Sequence, residues 1–182
     1  DGTAGAARLT SLAEVVDKLR NITAPPGQAA FDSWLDSSLR AAITCDDFIA
    51  YWASEGSDQL VPSGAGSHQH TPVTVPDYKV EMPTTDDTNE PELGLLAAMA
   101  NRKSCLLCRR APGDEHLFLP VLSQEQPERR PYGVLHIVGG SKRAAAMGGP
   151  TFSKADRRFV EDLAAHIGLF LDMRPSSTTA PQ

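Results

Sequence analysis

Apolar residues near the C-terminus recur at the spacing of a helix. Between Phe152 and Met173, the apolar positions that share one helical face are Phe159, Leu163, Ile167 and Phe170. Ser153 is a typical N-cap residue, and Asp156 follows three residues later, where its carboxylate can bond back to the N-cap amide. Phe152 precedes the cap and can pack against the helix as a hydrophobic staple. The pattern therefore predicts an amphipathic helix of about five to six turns.

Two further helices are predicted before residue 45. Apolar positions repeat every three to four residues in 6–22 and again in 31–43. The sequence APPG, from Ala24 to Gly27, separates the two repeats and ends the first helix. The next apolar stretch, Phe48 to Ser54, is rich in aromatic residues and is typical of a strand.

Residues 55–90 differ in composition from the rest of the chain. They are rich in Ser, Gly, Pro, Thr and acidic residues. Only two short pieces, 59–61 and 78–80, resemble strands, so we expect a long flexible loop here. The segments that follow are predicted as a helix at 92–102 and strands at 104–109, 116–123 and 132–140. A polar, hairpin-like connection joins the last two strands.

This order of elements predicts an α+β fold in which helices pack on an antiparallel sheet. Both faces of the strand around residues 134–138 carry apolar side chains, so this strand should be central and covered on both sides. We divide the chain into an N-terminal helix and linker at 1–29, a domain at 30–173 and a disordered tail at 174–182.

The amino-acid composition argues against some classes of binding partner. The chain has 182 residues and a net charge of −6, which lacks the basic surplus that nucleic-acid binding requires. No apolar run approaches the length of a membrane span. Three cysteines form no disulfide pattern, which favours a reducing compartment such as the cytoplasm. The first residue is not Met, so we expect the chain to be part of a longer protein.

Motifs for catalysis or metal binding are weak. Cys105 and Cys108 are spaced as CxxC, but residues three apart on a strand point to opposite faces, so we interpret both as structural. His68 and His70 lack further ligands at metal-site spacing. His116 starts a strand, where side chains often line a pocket. No nucleophile elbow or phosphate loop is present, so we expect neither an enzyme nor a bound metal or cofactor.

The second half of the chain resembles a GAF domain. That family shows an apolar strand with Pro, a turn, a strand that begins (I/Y)GVL, and F-(S/T)-x-x-D at the start of the last helix. The corresponding segments here are Phe118–Leu122, Tyr132–Ile137 and Phe152–Asp156. The resemblance extends over roughly residues 30–173, and the segment 92–108 is similar to the helix and strand that precede these motifs.

The resemblance implies an antiparallel sheet with the first and last helices on one face and a ligand cavity on the other. In many GAF proteins the helical face also forms a dimer or continues into a neighbouring domain. Members that bind cyclic nucleotides carry an Asn-Lys pair where this chain has Gly139-Gly140, and a Glu where it has Arg157. Ligand-binding members also have a longer segment, which forms a pocket wall, in place of the short connection at 109–115.

These departures lead us to expect a non-catalytic regulatory or interaction module of a larger intracellular protein, which acts by protein–protein contact, including a homodimer through the terminal helices. Such a module should expose apolar residues on 9–22 or on the edge of the last helix. The alternative is a sensor of a cyclic nucleotide or a metabolite. The residues expected to line the sensor's pocket are Phe48, Tyr51, Trp52, Glu92, Leu95, Met99 and His116.

Overall fold

Four helices and six strands make up the described part of the chain. The computed structural model describes residues 12–43, 45–64, 70–76, 91–108, 115–139 and 152–174. The helices are α1, which includes residues 12–20, α2 (Ala29–Ala42), α3 (Pro91–Asn101) and α4 (Lys154–Asp172). The strands are β1 (Asp47–Ala53), β2 (Gln59–Ser63), β3 (Val73–Thr74), β4 (Cys105–Cys108), β5 (Glu115–Val121) and β6 (Gly133–Val138).

The six strands form one antiparallel sheet in the order β3-β2-β1-β6-β5-β4. The predicted α+β class and the hairpin between β5 and β6 are confirmed. Strand β6 lies between β1 and β5, and residues 133–137 are all buried, as its apolar pattern predicted. Its register places His136 opposite Ile49 on one side and opposite Phe118 on the other.

Helix α4 begins with the predicted capping box. The Ser153 hydroxyl accepts a hydrogen bond from the Asp156 amide at 3.0 Å, and the Asp156 carboxylate accepts one from the Ser153 amide at 2.9 Å. Phe152 is buried beside this cap. The cap fixes where α4 starts, so that its apolar face meets the sheet along the whole helix.

Helices α1, α2 and α4 cover one face of the sheet, which we call the helical face. Strand residues Phe48, Leu119 and Leu135 pack there with α-helical side chains such as Leu35 and Leu163, all of them buried. This arrangement confirms the expected position of the first and last helices. Gly168 lets α4 lie directly against β5, because a Cβ at this position would overlap the carbonyl oxygen of Leu122.

Part of the segment expected to be a loop belongs to the sheet. The strand predicted at 59–61 is present in β2, which pairs with β1 and buries Leu60 completely. Strand β3 was not predicted, because two residues are too short for a periodic pattern. The strand predicted at 59–61 is therefore confirmed and extends to Ser63, the loop interpretation is wrong for β3, and the strand expected at 78–80 lies outside the described residues.

Candidate functional site

The second face of the sheet, which we call the α3 face, carries most of the candidate residues. Helix α3 packs against β4, β5 and β6 on this face. Leu95, Ala98 and Met99 of α3 contact a sheet surface that includes Phe118 and Val134, and all five side chains are at most 3% exposed. The area beneath α3 is therefore filled by side chains.

Two histidines meet on this face. His116 and His136 lie on neighbouring strands, and His116 Nδ1 is 2.8 Å from His136 Nε2. Both residues are buried, at 6% and 5% exposure. The Phe118 ring stacks on His136 with 4.3 Å between ring centroids, and the two imidazoles stack at 5.1 Å. The sequence carried no sign of this contact, because it depends on the register between β5 and β6.

Tyr51 belongs to the buried cluster beneath α3 and also lies next to polar side chains of the α3 face. Its ring meets that of His70 edge-on, with 6.4 Å between centroids. Burial raises the pKa of the Tyr51 phenol, and the negative charges of Glu92 and Asp47 raise it further. His70 and Glu92 thus each lie near Tyr51, and Glu92 belongs to the first turn of α3.

Not all of the expected pocket residues share this face. Tyr51, Leu95 and Met99 belong to one buried cluster, and His116 and Glu92 are on the same side of the sheet. Phe48 and Trp52 instead pack in the core of the helical face. Their assignment to the pocket was wrong, because alternate residues of a strand point to opposite faces of the sheet.

Trp52 contacts a buried carboxylate that the sequence analysis missed. Asp32 of α2 is 5% exposed, and its Oδ1 accepts hydrogen bonds from Trp52 Nε1 at 3.4 Å and from the Gly27 amide at 3.3 Å. Burial raises the pKa of Asp32, and hydrogen bonds from Gly27, Ser63 and Trp52 only partly offset this effect. Near the start of a helix, Asp32 resembled an ordinary first-turn acid, so the sequence carried no signal of its burial.

A second carboxylate joins the end of α4 to the hairpin between β5 and β6. Asp172 accepts hydrogen bonds from the amides of Gln124 at 2.6 Å and Glu125 at 3.1 Å, and from the Tyr132 hydroxyl at 2.7 Å. Although partial burial alone raises the pKa of Asp172, these bonds and one from Ser123 lower it overall. These partners lie about forty or more residues away in sequence, so no local pattern could identify them.

A cavity of about 200 Å³ lies between α4 and β5, away from the α3 face. It is smaller than the clefts that usually hold drug-sized ligands, which measure roughly 300–1,000 Å³. One hydrogen bond at its wall joins the Ser104 hydroxyl to Glu161 at 2.9 Å. None of the expected pocket residues lines it; the lining residues are Arg102, Ser104, Leu119, Pro120, Leu122, Gln124, Glu161, Ala164 and Ala165.

The two described thiols lie in protected surroundings. Burial raises the pKa of Cys105, which is 1% exposed on the α3 face, and also that of the half-buried Cys45. The side chain of Cys108 and the connection at 109–114 lie outside the described residues, as do His68 and Gly140. Within the described ranges, no three His, Cys, Asp or Glu side chains are grouped to hold a metal ion, and no helix is long and apolar enough to cross a membrane.

Comparison with known proteins gives matches at the level of structure. No protein-family model matches the sequence, and no curated protein matches it. The GAF domain from Acinetobacter phosphoenolpyruvate-protein phosphotransferase is similar, with a TM-score of 0.60 and 14% identity over 91% of this chain and 93% of that chain. The GAF domain of a phosphoenolpyruvate-protein phosphotransferase from Coxiella burnetii gives a TM-score of 0.59 and 12% identity, with 92% and 94% coverage.

An enzyme shares the same architecture. Free methionine-R-sulfoxide reductase from Neisseria meningitidis, in complex with its substrate, has a TM-score of 0.60 and 15% identity, and the match covers 92% of this chain and 90% of that chain. Together with the GAF domains, this likeness shows that the chain has a GAF-like fold, as the motifs in its second half indicated. At these identities the comparison concerns the fold alone.

Proposed function

We propose that this chain is a non-catalytic GAF-like regulatory module of a larger cytoplasmic protein, and that it acts by protein–protein contact through α4. The observation that carries this proposal is the exposure of Leu169 and Met173, at 43% and 64%. They stand four residues apart, on one side of the helix. An exposed edge on the last helix is the feature expected of an interaction module.

The exposed side of α4 changes character along the helix. Lys154, Arg158 and Glu161 are exposed in its N-terminal half, whereas Leu169 and Met173 are exposed near its C-terminus. The charged side chains of the N-terminal half are well solvated, whereas burial of the apolar side chains of the C-terminal half against a partner would remove apolar surface from water and be favourable. A second copy of the chain offers an identical surface, which permits a two-fold contact between the two α4 helices. Two side chains cover less area than a stable interface requires, so the association should be weak.

Sedimentation equilibrium over a range of concentrations tests this proposal. The wild-type chain should self-associate weakly, and the double variant Leu169→Glu/Met173→Glu should remain monomeric because it places charges at the contact. Val61→Glu is the matched control, since Val61 is 42% exposed on β2, outside α4. A wild-type chain that stays monomeric, or a double variant that associates as the wild type does, would contradict contact between α4 helices.

The surroundings of the thiols support a non-catalytic role. The enzyme from Neisseria meningitidis reduces free methionine sulfoxide, as its name states. In this chain, burial raises the pKa of Cys45 and Cys105, which keeps both thiols protonated and weakly nucleophilic. We expect no methionine to form when the protein is incubated with free methionine sulfoxide and dithiothreitol. Turnover that disappears in Cys105→Ser or Cys45→Ser would overturn this part of the proposal.

A ligand sensor is the second candidate function. The group of Tyr51, His70 and Glu92 beside α3 favours it, because a small-molecule site needs a few polar groups that converge. Thermal unfolding with cyclic AMP, cyclic GMP and a metabolite panel separates the two candidates. A ligand at 100 times its dissociation constant stabilises a fold by roughly 2.7 kcal/mol. A shift of several degrees that is lost in Glu92→Gln would establish sensing; no shift with any compound leaves the contact proposal in place.

A further inference from the structure

The contact between His116 and His136 restricts how many protons the two rings can hold. Their facing nitrogens are 2.8 Å apart, which is hydrogen-bond distance, so one nitrogen must donate and the other must accept. An imidazolium ring has a proton on both nitrogens and cannot accept. The contact therefore persists with both rings neutral or with one ring charged, but not with both rings charged.

We propose that His116 and His136 form a proton-sensitive element of the sheet. The pair takes up one proton as a unit, and a second proton breaks the contact between β5 and β6 side chains and loosens the α3 face. This inference does not depend on contact through α4. It rests on the geometry of two buried rings at the centre of the sheet, where water does not screen the repulsion between two charges.

The neighbours of the pair favour the state with one charge. The Phe118 ring lies parallel to His136 at 4.3 Å, so a cationic imidazole would rest on the face of an aromatic ring. Among the described residues, the titratable groups on this side of the sheet include Tyr51 on β1, His70 before β3, Cys105 on β4 and Glu92 on α3. Asp47, at the start of β1, acts electrostatically on Tyr51, and its carboxylate lies 3.9 Å from Arg40 of α2. The Glu92 carboxylate supplies negative charge on the same face, and Asp47 adds negative charge near Tyr51.

The free energy of unfolding should decrease as the pH falls, because the unfolded chain binds more protons than the folded chain. In the unfolded chain both histidines bind protons near the usual histidine pKa of about 6.5. The folded chain binds one proton fewer until the contact breaks, so acid favours the unfolded state. The unfolding equilibrium constant should therefore rise about tenfold for each pH unit below about 6.5 through this pair alone.

Nuclear magnetic resonance of the ring nitrogens of the intact chain tests the proposal. Each ring should show two inflections with pH, at the same two values for both rings, because the pair titrates as a unit. In His136→Gln, His116 should show a single inflection, whereas His166→Gln, the control on α4, should leave the His116 and His136 curves unchanged. If His136→Gln does not fold, the two wild-type curves still decide the matter.

Three results would overturn the proposal. One is a single, independent inflection at each ring, and another is no titration of either ring while the protein remains folded. The third is a change in both curves on addition of zinc or of EDTA, which would make the pair a metal site. Amide exchange gives a further check: after correction for intrinsic rates, exchange at Phe118 and His136 should rise about tenfold per pH unit as the pH falls from the upper to the lower inflection, and should level off below the lower inflection.

Discussion

Replacement of Asp172 by Asn should destabilise the protein more than any other charge removal on α4. Its carboxylate accepts bonds from the Gln124 and Glu125 amides and from the Tyr132 hydroxyl, and so fastens the C-terminal end of α4 to the β5–β6 connection. Asn keeps one acceptor oxygen, but its amide group would face donors in place of the second oxygen.

The magnitude follows from the number and exposure of these bonds. A hydrogen bond to a charged group contributes roughly 1.5–3 kcal/mol, and Asp172 is partly solvated, so we expect a total loss of about 2 kcal/mol. For a domain of this size that loss lowers the melting temperature by about 4–8 °C. Urea unfolding at pH 7 measures the loss directly, with Asp17→Asn, an exposed carboxylate on α1, as the control for charge.

The pH dependence provides a second check on the same variant. The pKa of Asp172 is lower in the folded chain than its ordinary value of 3.8. The stabilisation from the Asp172 carboxylate is therefore complete above that value and is lost as the pH falls through the folded pKa. The unfolding free energies of the variant and the wild type should then converge in acid. A free energy of unfolding for Asp172→Asn that matches Asp17→Asn at pH 7 would refute the proposed role of these bonds.

Three further changes test other parts of the account. Gly168→Ala should lower the free energy of unfolding, measured in urea, by about 3 kcal/mol, because its methyl group would overlap the Leu122 carbonyl. A loss no larger than that of Ala165→Gly would disprove the close approach of α4 to the Leu122 backbone. Ser153→Ala should cost about 1 kcal/mol and leave the urea m-value unchanged, since it removes one cap. Asp32→Asn should become more stable relative to the wild type as the pH rises above 3.8, because the raised pKa of Asp32 makes its buried charge unfavourable at higher pH. A difference in unfolding free energy between variant and wild type that stays constant from pH 4 to 7 would show that ionisation of Asp32 carries no such penalty.

Local patterns predicted the elements whose signals lie within one segment. The capping box of Ser153 and Asp156 fixed the start of α4, and the apolar pattern of 134–138 predicted a central strand. The GAF-like motifs then predicted which face the terminal helices cover. Strand β3 was not predicted, because it has only two residues and lies in a segment whose composition indicated a loop; only its pairing with β2 makes it a strand.

The candidate site was less predictable, since it depends on contacts between segments. Phe48 and Trp52 were grouped with Tyr51, although the alternation of a strand already separates them from it. The contact of His116 with His136 requires the register that pairs His116 with Val138, which no single strand encodes. Asp32 is buried through its contact with Trp52, a residue on another element.

The central claim, that the chain acts by contact through α4, is tested most directly by amide spectra recorded over a series of protein concentrations. Peaks of residues on the outer side of α4 near Leu169 and Met173 should shift progressively with concentration, and those shifts should be absent in Leu169→Glu/Met173→Glu. Spectra that do not change with concentration, or changes confined to residues around Tyr51 and α3, would contradict the claim.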